Sequence, residues 1–146
     1  MKSLPDYFES LLAILETYIQ QKVDHFTLQT YGGEYVDGPY VQALQEHDNV
    51  LLIEATGEEF LEPPLDEQGR QKMHFLGWRY FPEKYLPNYA QFIEQSAVSP
   101  REIAEIMVRA LHFGYGVDET YTFEIAPQID TARQMIKELG IGNGRS

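Results

Sequence analysis

Residues 65–89 read LDEQGRQKMHFLGWRYFPEKYLPNY and hold the only Trp of the 146-residue chain. Pro63 and Pro64 cannot lie inside a helix but suit the approach to its first turn. Asp66 and Glu67 then stand where the positive end of a helix dipole favours carboxylates. Leu65, Met73 and Leu76 recur at roughly helical spacing, and Arg70 and Lys72 lie toward the C-terminal end. Gly69 costs about 1 kcal/mol relative to Ala inside a helix, so the helix should be short. Gly77 fits a left-handed cap, and Trp78 follows where the chain can fold back as a core anchor. Pro82 and Pro87 make the next segment a loop that still carries Tyr80, Phe81, Tyr85, Leu86 and Tyr89. A loop this aromatic must cover something apolar or be covered by a partner.

The segments on either side supply a sheet and its helices. Residues 3–21 read as a first helix, with Ser3 and Asp6 as a capping box and Pro5 in the first turn. Phe8, Leu11, Leu12, Leu15, Tyr18 and Ile19 form its apolar stripe, which faces a core and could also pack on a second copy. Residues 25–31 and 40–46 alternate as strands, separated by turn signals at Gly32-Gly33 and Asp37-Gly38. Residues 50–56, VLLIEAT, are β-branched and apolar enough for a central strand. Residues 89–94 are extended. Ser99 caps a strong helix with Pro100 at its first position, and Ile103, Ile106, Met107, Ala110 and Leu111 are its buried stripe. Gly114 and Gly116 end it, with His112 near that end. Residues 120–126 form an alternating strand stopped by Pro127, and residues 129–139 a last helix. The pattern predicts an α+β domain over residues 1–140, a mainly antiparallel sheet with helices packed on one face, and a flexible tail at 141–146.

Composition narrows the function. The chain carries 23 acidic and 11 basic residues, a formal net charge of −12, and no Cys. Such a charge repels phosphate backbones and anionic membranes, so neither nucleic acid nor membrane is an expected partner. The absence of Cys rules out disulfides and thiolate metal sites and fits a reducing compartment, read here as the cytoplasm. The N-terminal apolar stretch is interrupted by Asp6, Glu9 and Glu16 and has no small-residue cleavage site, unlike a signal peptide.

A short helix, Leu76-Gly77-Trp78, a Pro a few residues on, then Pro87-Asn88-Tyr89 before another helix resembles the YbjN-like proteins. These are grouped with type III secretion chaperones as peptide-binding chaperones. The resemblance covers about residues 35–117 and leaves 120–139 unmatched. It implies a type III secretion chaperone-like fold that binds a protein or peptide partner, with Gly77, Trp78 and Asn88 as structural anchors.

No catalytic motif competes strongly with that reading. His25, His47, His74 and His112 have no metal-ligand spacing, and no P-loop, nucleophile elbow or dinucleotide fingerprint occurs. The Gly-rich stretch 32–38 lacks a following Lys and carries Glu34 and Asp37, so it is a turn and not a phosphate site. No catalytic residue, metal or cofactor is assigned. Three readings remain. The first is a non-catalytic, chaperone-like module binding a basic or amphipathic segment, with Tyr31, Tyr35, Tyr40, Tyr80, Phe81 and Tyr85 as its contact patch. The second is a hydrolase-type enzyme using the carboxylates between Glu54 and Glu62, with His74. The third is an acidic inhibitor or nucleic-acid mimic.

Overall fold

The computed structural model describes residues 3–57, 60–80 and 88–139, with the side chains at 132 and 139 left aside. The alternating segments become β1 (His25–Tyr31), β2 (Tyr40–His47), β3 (Val50–Ala55), β4 (Arg79–Tyr80), β5 (Tyr89–Glu94) and β6 (Thr122–Ala126). They form one sheet in the order β4-β5-β3-β2-β1-β6, and every neighbouring pair is antiparallel. VLLIEA sits near the middle, as an apolar β-branched run must. The loop expected from Tyr80 onward starts later, because Tyr80 pairs with Tyr89 and Arg79 with Ala90. Two residues before Pro82 are enough to add a short edge strand.

The helices are α1 (Glu9–Gln20), α2 (Glu67–Phe75), α3 (Pro100–Arg109) and α4 (Asp130–Leu139). The Ser3 cap does not form. A 3-10 turn over Asp6–Phe8 precedes α1, and no side chain caps it. Pro5 is the reason: it disfavours helical backbone at Leu4, so the helix cannot extend back to Ser3. The caps of α2 and α3 hold. The Asp66 carboxylate accepts from the Gly69 N–H at 2.8 Å, and the Ser99 hydroxyl from the Glu102 N–H at 3.2 Å. Gly77 ends α2 with φ +95°. The Trp78 N–H then reaches the Met73 carbonyl and the Gly77 N–H the His74 carbonyl, both at 3.0 Å, so the last turn satisfies its own carbonyls.

The structure departs from the sequence reading at the end of α3. The helix widens into a π turn over Ala110–Gly114, with the Tyr115 N–H bonded to the Ala110 carbonyl at 3.1 Å. Gly114 there lies against Met73 of α2, and a methyl group at this position would overlap the Met73 sulfur. Close packing between two helices thus requires glycine at 114, while Gly116, with φ +79°, turns the chain beyond the helix.

One core results. Phe26, Leu28, Val41, Ala43, Leu51, Ile53 and Ala55 point from the sheet into a cluster completed by Leu15 and Tyr18 of α1, Met73 of α2 and Ile103 and Met107 of α3. Trp78 lies in the same cluster at 1% exposure. Ile129, Met135 and Ile136 bring α4 against its outside. All four helices therefore cover the same face of the sheet.

Candidate partner-binding surface

The period of two along each strand leaves a second face, made by the residues between the core positions. Strand register puts three residues in a row across it: Leu44 opposite Leu52, and Leu52 opposite Phe92. Leu44 is 37% exposed and Phe92 56%, while Leu52 between them is 4% exposed. Leu52 and Ala90 are buried without belonging to the core cluster. They lie beneath the open side.

Beside this apolar row runs a polar one. Thr27 is opposite Gln42, Gln42 opposite Glu54, and Glu54 opposite Ala90. The Thr27 hydroxyl donates to Gln42 Oε1 at 3.3 Å, and Gln42 Nε2 donates to Glu54 Oε1 at 3.1 Å. Asn88 Nδ2 donates to Glu54 Oε2 at 3.5 Å, and Asn88 Oδ1 accepts from the Tyr40 hydroxyl at 3.1 Å and the Gly57 N–H at 2.8 Å. Asn88 is fully buried, so this network closes the end of the sheet as well as orienting Glu54. Burial pushes the Tyr40 hydroxyl above its ordinary pKa, with the Asn88 hydrogen bond opposing and Glu54 reinforcing that rise.

The aromatic residues singled out by sequence do not all lie together. Tyr31 and Tyr40 share the open face with Thr27 and Gln42, on strand parity, and both are half-buried. Tyr35 and Tyr80 pack against the core cluster instead. The Tyr35 hydroxyl donates to the Tyr115 carbonyl at 2.8 Å, and burial, with Tyr121 and Asp66 nearby, raises its pKa to about 12. Tyr35 borders a groove of about 330 Å³ with Leu65, Asp66, Lys72, His112 and Tyr115. The Tyr80 and Tyr89 rings meet edge to face at 5.2 Å. Phe81 and Tyr85 lie outside the described residues.

The carboxylate stretch beside Glu54 assembles no catalytic pair among the described residues. The described partners of the Glu54 side chain are the amides of Gln42 and Asn88. Glu62 is exposed, and Glu58 and Glu59 lie outside the described residues. No group of three or more His, Asp or Glu among the described residues could hold a metal ion. His112 Nδ1 is 2.8 Å from the Val117 carbonyl, and its ring packs against Phe8 at 5.2 Å, so it belongs to the fold. No described helix is long and apolar enough to cross a membrane.

Leu44 and Phe92 were missed by sequence reasoning. Their signal was present: YAQFIE and VQALQE are apolar on both alternating sets of positions, which a strand with one wet face does not need.

A family model described as T3SS (YopN, CesT) and YbjN peptide-binding chaperone 3 matches residues 7–124. The chain belongs to this family. The fold is accordingly type III secretion chaperone-like, with the matched segment running from the turn before α1 into β6. The match extends beyond the resemblance at residues 35–117 and stops short of α4. No curated protein and no solved structure matches the chain.

Proposed function

We propose that the protein is a non-catalytic, chaperone-like module that holds a basic or amphipathic segment of another protein on the open face of its sheet. Membership of a family of peptide-binding chaperones supports a binding role. The observation that carries the location is the cross-strand row Leu44–Leu52–Phe92, which sits on the side away from every helix. Tyr31 and Tyr40 extend the contact area, since Tyr gives a large rigid surface with a polar tip. Tyr35 and Tyr80 act mainly in packing, and Phe81 and Tyr85 lie outside the described residues. A net charge of −12 raises the encounter rate with a basic partner and makes it fall with salt. It also opposes pairing with a second copy, which carries the same charge.

Replacing Leu44 and Phe92 together by Asp tests the reading. The double variant should keep the far-UV spectrum of the parent and lose capture of its host partner. Undiminished capture by the folded variant would place the binding surface elsewhere.

A further inference from the structure

The polar row beside Leu52 has no counterpart in the core, and two of its side-chain amides donate to one carboxylate. Gln42 and Asn88 each hold one oxygen of Glu54 from opposite sides. Among the described residues each oxygen accepts a single hydrogen bond, whereas a carboxylate oxygen can accept two. Glu54 is half-buried, where charge is less screened than at a rim position. Its neighbours on this face are mostly uncharged or acidic. Glu94 stands beyond Phe92 on β5, and Glu124 lies opposite Gln29. Arg79, at the β4 edge opposite Ala90, is the one Arg or Lys in these rows.

Resting on the peptide-binding reading, we infer that Glu54 is the specificity residue of the open face, receiving a Lys or Arg from an amphipathic helix whose apolar side lies on Leu44, Leu52 and Phe92. A helix satisfies its own backbone and can therefore add a layer to a sheet face, which an extended chain cannot do without losing hydrogen bonds. The spacing fits. Adjacent rows are two strand residues apart, about 6.8 Å. Residues i and i+4 of a helix aligned with the strands advance by about 6 Å and share a face. The ligand is thus a helix with an apolar residue at i and a cation at i+4. A carboxylate already fixed by two amides pays little further ordering to bind that cation, and an acidic residue at i+4 would be repelled.

The test uses three synthetic helical peptides with one Leu-rich face, identical except for Lys, Gln or Glu four residues after the central Leu. Fluorescence anisotropy on the full chain measures affinity at about 150 mM salt, near the physiological screening regime. The Lys peptide should bind at least about tenfold tighter than the Gln peptide, the scale of one charge-assisted contact. Glu54→Gln should shrink that advantage to about twofold or less, whereas Phe92→Ala should weaken all three peptides alike. A Glu54→Gln chain that keeps the Lys preference overturns the role of Glu54. If Phe92→Ala still weakens every peptide in that case, the peptide-binding reading stands. A Phe92→Ala chain that binds all peptides unchanged overturns the seat itself, and failure of the parent chain to bind the Lys peptide overturns both.

Discussion

The two faces of one sheet, built from alternate residues of the same strands, obey different rules. On the helix side β1 to β3 present Phe26, Leu28, Val41, Ala43, Leu51, Ile53 and Ala55, all fully buried in one cluster. On the other side the same strands present Thr27, Gln42 and Glu54 tied by hydrogen bonds, next to Leu44 and Leu52. The first set is what any sheet under helices requires. The second combines a specific polar network with an apolar residue, Leu44, that stays partly in water beside the buried Leu52, which stability does not demand. The difference separates residues that make the fold from residues proposed to meet a partner.

Substitutions should therefore sort by face. Trp78→Ala removes the largest core side chain and should cost about 3–5 kcal/mol, the range for deleting a buried aromatic. Urea unfolding followed by far-UV circular dichroism reads it, and a loss below 1 kcal/mol would remove Trp78 from the core side of the comparison. The indole N–H of Trp78 has no hydrogen-bond partner among the described residues, so no polar penalty is added. Asn88→Ala should cost about 1–3 kcal/mol, since it strands the buried Gly57 N–H and the Tyr40 hydroxyl. The same urea titration checks it. Asn88→Asp keeps the acceptor but loses the donor to Glu54 and sets a second buried carboxylate against it, so near pH 7 it should cost at least as much.

Gly114→Ala should cost about 1–3 kcal/mol by overpacking against Met73. The double variant with Met73→Ala should recover part of that loss relative to the sum of the single changes, because the two sites share one contact. Alkaline pH is a gentler probe. Burial raises the Tyr35 pKa to about 12, so above pH about 10 the unfolded chain releases the tyrosyl proton and the folded chain does not. The unfolded state then binds fewer protons and stability falls as pH rises, through about pH 12. Tyr35→Phe should flatten this part of the stability profile, measured as urea midpoints from pH 8 to 11.

Much of the helix side was legible in the sequence. Ser99-Pro100, the period of α3 and the Gly77-Trp78 pair each encode local geometry, and local geometry reads directly from residue type. The π turn after Arg109 was not legible, because Gly114 reads as a helix stop in sequence, and its close packing on Met73 joins elements far apart in the chain. The surface was only partly legible for the same reason. Tyr31, Tyr35, Tyr40 and Tyr80 look alike in sequence, but strand parity turns the first and third to the open face, and tertiary packing takes the other two to the core. The row Leu44–Leu52–Phe92 exists only once β2, β3 and β5 are in register. No single segment carries it.

Phe92→Ala should be the smallest change in stability of the series, within about 0.5 kcal/mol, because a residue already half in water loses little when shortened. Its consequence belongs to binding. Nuclear magnetic resonance shift mapping of the full chain, titrated with the Lys-bearing amphipathic peptide, tests the account most directly. The account expects the largest shifts at Leu44, Leu52, Glu54 and Phe92, with Leu28, Ile53 and Met107 nearly unmoved. Shifts concentrated on the helices, or around the groove beside Tyr35, would contradict it.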